Sequence, residues 1–240
     1  MTKPNVDERL RELLRAHIDD DDLLANLGSF ARRMHFMKSF AHYEVFKLVM
    51  DLPGDIVECG VYKGASLLSF ARFVETFATG DRTRKVLGFD HFEGLASRTE
   101  FDGYDPSVGN TAEGWNPASF RETLFALVDA FNDDSFVPKK ARVELVDGDV
   151  RETAVAYCKD HPGLRISLLH LDMDLYEPTL AALEAFYPRI VSGGVVVLDE
   201  YGITAWPGES KALEEFFDGK PPRIQKFGWV SAPGGFFVKP

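Results

Sequence analysis

At 240 residues the chain holds one large domain, or one domain with an appendage, and is long enough to bury a sizeable core. Hydrophobic residues at 45% and charged residues at 27% exclude disorder along its length. Lys and Arg total 27 against 38 Asp and Glu, and the formal charge of −11 argues against nucleic acid or an anionic membrane as a general partner.

Met1 to Arg15 mixes charges and lacks the apolar core of a signal peptide. No run approaches the ~20 apolar residues of a membrane span. Cys59 and Cys158 are too few for a disulfide framework or zinc cluster and lie in apolar surroundings, so they read as buried reduced thiols in a cytoplasmic chain. Helical spacing of Val6, Leu10, Leu13 and Leu14, then Leu23, Leu24 and Leu27, predicts two N-terminal helical stretches. Asp19 to Asp22 between them reads as a solvated helix start, where carboxylates suit the helix dipole. A third helical stretch, Phe30 to Met50, stops at the breaker Asp51-Leu-Pro-Gly54.

Beyond Asp55 short apolar runs alternate with amphipathic stretches. Ile56 to Cys59, Lys85 to Asp90, Arg142 to Val146, Ile166 to Leu171 and Val195 to Asp199 read as strands. Helices are expected after the first strand through Phe77, over Phe120 to Phe131, Thr153 to Lys159, Pro178 to Val191 (stopped by Ser192-Gly-Gly194) and Glu209 to Phe217. Ile224 to Val230 and Gly235 to Val238 read as a terminal hairpin. Continuous apolar strands alternating with helices imply an α/β, doubly wound, Rossmann-like parallel sheet covered on both faces. With the hairpin it has seven strands, the last antiparallel. The expected division is an N-terminal helical extension, residues 1–52, and a core, residues 53–240. The polar segment 92–117 is longer than a plain connection and reads as a lid with Gly94, Gly103, Gly109 and Gly114 as hinges; Tyr104, Trp115 and Trp206 offer flat apolar walls. Apolar faces on the N-terminal helices predict a homo-oligomer.

Ligands of open parallel sheets bind beyond the carboxyl ends of the strands. Here those ends carry acids: Glu58, Asp90, Asp147-Gly-Asp149, Asp172-Met-Asp174 and Asp199-Glu200. Gly60 and Gly64 allow a ligand to approach the backbone, and Asp90 offers two oxygens to ribose hydroxyls. Glu58 would repel a dinucleotide's diphosphate and suits a ligand with an ammonium and no phosphate, such as S-adenosylmethionine. Asp172, Asp199 and Glu200, on neighbouring strands, converge as hard oxygen ligands for Mg²⁺, Mn²⁺ or Ca²⁺. Asp172 and Asp174 share strand parity and face one side if the strand continues that far; His170 shares it and reads as a hydrogen-bonded core residue.

The runs GDIVECGVYKGAS, GFDHFEGL and LHLDMDLYEPTLAALEAFYPRIVSGGVVVLDEYG, in that order, resemble the macrocin O-methyltransferase family over residues 54–217. The resemblance implies a class I methyltransferase, dependent on S-adenosylmethionine and Mg²⁺ (or Mn²⁺), that methylates a hydroxyl of a sugar or glycosylated natural product. By position it implies Asp172, Asp199 and Glu200 as metal ligands and Asp174 as general base. It assigns Glu58, Gly60, Tyr62, Lys63, Gly64, Ser66, Asp90, His91, Phe92, Asp149 and Val150 to the cofactor. Glu200 stands where the family usually has Asp, and Met173 where it commonly has Gly. The loop from Asn110 to Pro117 and the N-terminal helices match poorly, so the acceptor is not carried over. A catechol- or phenol-type O-methyltransferase and a non-catalytic nucleotide-binding module stay open as alternatives.

Overall fold

The computed structural model describes residues 5–16, 19–105 and 115–240. Four helices come first: α1 (Val6–Ala16), α2 (Asp20–Ala25), α3 (Leu27–Phe30) and α4 (Arg33–Val49). Asp19 caps α2 by accepting from the Asp22 amide at 2.8 Å, and the acidic run is exposed, as its helix-start reading requires. The core then alternates β1 (Asp55–Cys59), α5 (Ala65–Phe77), β2 (Val86–Asp90), α6 (Arg121–Asp133), β3 (Val143–Asp147) and α7 (Val150–Asp160). It continues through β4 (Ile166–Leu171), α8 (Tyr176–Phe186), β5 (Ile190–Leu198), α9 (Pro207–Phe216) and β6 (Gly235–Val238).

The sheet order is β3-β2-β1-β4-β5-β6, with the first five strands parallel and β6 antiparallel to β5. The chain winds outward in both directions from β1 and β4, so the topological switch point lies between them. Strand parity divides the core. Val57, Leu87, Phe89, Leu169, Leu171, Val196 and Leu198 face the layer of α7, α8 and α9. Ile56, Val86, Leu168, Val195 and Val197 face α4, α5 and α6. Each such side chain, fully buried, contributes ~1.5–3 kcal/mol. The register aligns the carboxyl ends: Cys59 pairs with Phe89 and Leu171, and Leu171 with Leu198. Gly60, Asp90, Asp172 and Asp199 therefore leave the sheet at nearly one level.

Two expectations are corrected. Six strands are present among the described residues, not seven. Ile224 to Val230 makes one isolated bridge, Gln225 to Phe236, before a turn in which the Val230 amide bonds the Phe227 carbonyl at 3.4 Å. The Phe227 ring stacks on Phe236 with centroids 5.1 Å apart, so its apolar residues are used in packing rather than in a ladder. The helix expected to Val191 ends at Phe186. Pro188 has no N–H to donate, and a 3₁₀ turn over Tyr187–Arg189 closes the helix. Ser192-Gly-Gly194 then runs inside β5, where the register against β4 shifts. Both cysteines are free and buried, and no helix among the described residues is long and apolar enough to cross a membrane.

Candidate active site

A cavity of about 390 Å³ opens over the carboxyl ends of the central strands. Its wall includes Gly60, Tyr62, Ser66, Asp90, His91, Asp149, Val150, Asp172, Asp174, Asp199 and Glu200. The aligned strand ends bring together acids that lie more than 100 positions apart in the sequence.

At the β1 end, the turn to α5 depends on glycine for reasons internal to the chain. A Cβ on Gly60, whose φ is +90°, would overlap the Asp172 carbonyl oxygen, and one on Gly64, at φ +81°, would overlap Leu124 Cδ1. Expected as room for a ligand, these glycines also permit the chain leaving β1 to lie close against the end of β4 and α5 to start against α6. Asp90 fastens the same turn: its Oδ2 accepts from the amides of Val61 and Tyr62, both at 2.8 Å, and its Oδ1 from Phe92 at 2.6 Å. Three of its roughly four lone-pair positions are thus engaged, leaving less for ribose than its residue type suggests.

Four of the predicted cofactor residues do not line the cavity: Glu58, Gly64 and Phe92 are buried away from it and Lys63 is exposed. Glu58 is fully buried; its Oε1 accepts from the Ser66 hydroxyl and lies 3.2 Å from His170 Nδ1. Lys63 lies over the Tyr62 and Phe120 rings, 5.1 and 5.8 Å from their centroids. Gly64 starts α5, and Phe92 is buried against Phe125. Asp149 caps α7 through the Arg151 amide at 2.9 Å, and the Arg151 guanidinium hydrogen-bonded to it holds its carboxyl below the usual range.

The β4 and β5 ends form an acid cluster. β4 stops at Leu171, so strand parity does not align Asp172 with Asp174. Instead Asp174 takes φ +64°, a left-handed conformation that Asp tolerates, and returns its carboxylate to the cluster. Asp172, Asp174 and Glu200 each place an oxygen within 4.8 Å of the others. Asp199 adjoins them but turns to two cations: its Oδ2 accepts from Lys38 at 2.8 Å, and its Oδ1 lies 3.6 Å from His170 Nε2. Burial and the neighbouring Asp199 raise Asp172 to about 6, and burial with Asp172 and Asp199 raises Asp174 to about 7. Glu200 is raised well above the carboxylate range by burial and Asp199. Burial alone would raise Asp199 as well, but Lys38 and His170 outweigh it and hold its carboxyl far below the usual value. Burial opposes a proton on His170, yet its contacts with Asp199 and Glu58 raise it to about 10.

The donor set fits a hard cation. Glu200 Oε2 and Asp199 Oδ1 are buried without a hydrogen-bond partner, and Lys38 does not offset the burial and mutual repulsion that raise Asp172 and Asp174.

Lys38 and His42, both on α4, also line the cavity and were not singled out in the sequence. Lys38 donates to Asp172 Oδ2 at 2.7 Å across 134 residues, a pairing that no local motif signals. His42, buried against Phe70 and His170, is kept neutral by burial and by the neighbouring His170 and Lys38. Buried Glu209 on α9 accepts from the Glu200 amide at 2.6 Å, orienting the last acid. Of the expected aromatic walls, Trp115 lines the cavity, edge-on to Tyr62 at 5.6 Å; Trp206 is buried in the core and Tyr104 is exposed outside the cavity. Residues 106–114 of the expected lid, with Gly109, Asn110 and Gly114, lie outside the described residues. Its first half is anchored: buried Asp102 accepts from the Thr99 amide at 2.7 Å and the Tyr176 amide at 2.5 Å.

Residues 4–222 match the model of the family Macrocin-O-methyltransferase (TylF). The chain is 35% identical over 167 residues to 8-demethyl-8-(2,3-dimethoxy-alpha-L-rhamnosyl)-tetracenomycin-C 4'-O-methyltransferase of Streptomyces olivaceus, covering 66% of this chain and 57% of that protein. It is 28% identical over 171 residues to mycinamicin III 3''-O-methyltransferase of Micromonospora griseorubida, covering 70% and 61%. The matched region thus spans less than two thirds of either curated relative. The crystal structure of CalS11, a calicheamicin methyltransferase, superposes with a TM-score of 0.88 at 30% identity, covering 97% of this chain and 91% of that one.

Proposed function

The chain belongs to the macrocin-O-methyltransferase family, and on that footing we propose that it transfers a methyl group from S-adenosylmethionine to a hydroxyl of a sugar on a natural product, with a divalent cation at the acid cluster. The observation that carries this reading is the convergence of Asp172, Asp174, Asp199 and Glu200 on a cavity that the Gly60 turn and Asp90 also line. Sugar O-methyltransferases among its relatives support the acceptor class.

Gly60, Tyr62, Ser66, Asp90, His91, Asp149 and Val150 line the donor's part of the cavity. Buried Glu58, Gly64 and Phe92 support that wall, and exposed Lys63 lies over the Tyr62 ring. Asp172, Asp199 and Glu200 would hold Mg²⁺ or Mn²⁺, which would supply Lewis-acid stabilisation of the acceptor oxygen. Asp174, raised to about 7, takes the hydroxyl proton. The oxygen–methyl bond forms as the sulfur–methyl bond breaks, leaving S-adenosylhomocysteine and protonated Asp174. In this reading residues 1–52 are an extension whose last helix, α4, walls the acceptor side through Met34, Lys38 and Ser39. Exposed Leu24, Leu27 and Phe40 supply the surface of a homo-oligomer, and the enzyme works in the cytoplasm.

The test is S-adenosylhomocysteine formation with glycosylated acceptors and with catechol, each in Mg²⁺ and in excess EDTA. Turnover on a glycoside that EDTA abolishes is expected. Turnover on catechol alone overturns the sugar reading, an undiminished rate in EDTA overturns the metal reading, and failure to bind S-adenosylmethionine overturns both.

A further inference from the structure

Helix α4 delivers one ammonium into the acid cluster. Lys38 Nζ stands 2.7 Å from Asp172 Oδ2 and 2.8 Å from Asp199 Oδ2, bridging the ends of adjacent strands. These are two of the three acids that, on the reading above, hold the divalent ion. The Lys38 side chain is 35% exposed and that of Asp199 only 4%. The cation therefore comes from the solvent side on a flexible four-carbon stem, while the acids stand on strand ends. A protonated amine has three donors and no lone pair, so Lys38 cannot itself ligate a metal. Two cations sharing the same carboxylate oxygens would repel at this range. Meanwhile Glu200 Oε2 and Asp199 Oδ1, both buried, remain without a hydrogen bond, so the ammonium satisfies only part of the cluster.

We propose that Lys38 is a tethered counter-cation that occupies the Asp172–Asp199 pair until the divalent ion displaces it, making ammonium and ion alternative partners of the same oxygens. The proposal rests on the reading of these acids as metal ligands. Without metal, Lys38 holds the two carboxylates together; with metal, it swings toward solvent. Because α4 also presents Met34, Ser39 and His42 to the cavity, the exchange couples metal loading to the wall on the acceptor side.

The experiment is Mn²⁺ binding to the whole 240-residue chain, read from the loss of the free aqueous Mn²⁺ electron-spin signal, for wild type, Lys38→Met and Lys38→Gln. Both variants keep the stem's approximate length and remove the charge. At least tenfold tighter Mn²⁺ binding is expected in both, equivalent to ~1.4 kcal/mol, and the metal-free variants should melt below wild type and gain more from Mn²⁺. Binding by the variants alone is the extreme form of this result. Folded variants that bind Mn²⁺ no more tightly than wild type refute the exchange. Absence of Mn²⁺ binding in all three proteins overturns the metal-ligand reading, and the exchange with it.

Discussion

Gly60→Ala is the substitution whose consequence the structure defines most closely. The added Cβ would lie 2.5 Å from the Asp172 carbonyl carbon and 3.2 Å from Met173 Cγ. The Asp172 carbonyl oxygen is nearer still, at 1.8 Å, and since non-bonded heavy atoms are comfortable only beyond about 3 Å, one strand end must shift by more than ~1 Å. The φ of +90° adds backbone strain of ~1–2 kcal/mol for a residue with a Cβ. Moving the β4 end strains the bond from the Asp172 amide to the Cys59 carbonyl, now 2.9 Å, for another ~0.5–1.5 kcal/mol. Together these destabilise by ~1.5–3.5 kcal/mol, a fall in Tm of roughly 3–14 °C for a domain of this size. The displaced residue is an acid of the cluster, so Mn²⁺ affinity should fall with stability. Gly64→Ala is the control. Its Cβ would meet the buried Leu124 Cδ1 and none of the acids, so Tm should drop while Mn²⁺ affinity in the folded protein is retained. Thermal melts with Mn²⁺ titrations on both variants decide the matter. A folded Gly60→Ala with wild-type Tm and Mn²⁺ affinity would refute the reasoning.

Asp174→Asn should lower kcat ~10²–10⁴-fold with donor binding unchanged, measured by turnover and calorimetry; near wild-type turnover would dismiss it as the base. Asp172 and Asp174 hold protons more tightly in the fold, near 6 and 7, than the ordinary 3.8, so metal-free stability declines as pH rises through that window. His170, raised from 6.5 to about 10, extends the decline above pH 6.5, and its loss is complete near pH 10. The rise in Tm produced by Mg²⁺ should therefore widen from pH 5 to pH 8 in thermal scans, and a constant rise would count against a cation at these acids. Asp102→Ala leaves the Tyr176 amide without its acceptor and should destabilise by ~2–3 kcal/mol, with faster proteolysis of residues 92–105. Asp102→Asn, which keeps an acceptor oxygen, should lose less, and an unchanged melting curve for Asp102→Ala would show that the loop is held otherwise.

Much of the frame is legible in the sequence because its signals are local. Continuous apolar runs such as Ile166 to Leu171 announce strands buried on both faces, and breakers such as Asp51-Leu-Pro-Gly54 mark the joints. Strand-end acids are legible for the same reason, since a parallel sheet gathers its carboxyl ends whatever the helices do. The terminal hairpin is not legible because Ile224 to Val230 has a strand's composition, while whether it pairs depends on a turn and on packing against Phe236.

What the sequence alone determined is therefore the doubly wound order, the family, and the set of acids that meet at the switch point. What only the tertiary structure decided is how those acids are used. Register and a left-handed Asp174, rather than strand parity, gather the cluster; Glu58 is withdrawn into the core against His170; and Lys38 arrives from a helix 134 residues away to bridge Asp172 and Asp199. The physical reason is range. Hydrophobic periodicity and turn chemistry act over a few residues and can be read in order, whereas the pairing of one charge with another is set by where folded elements bring them, which no local pattern encodes.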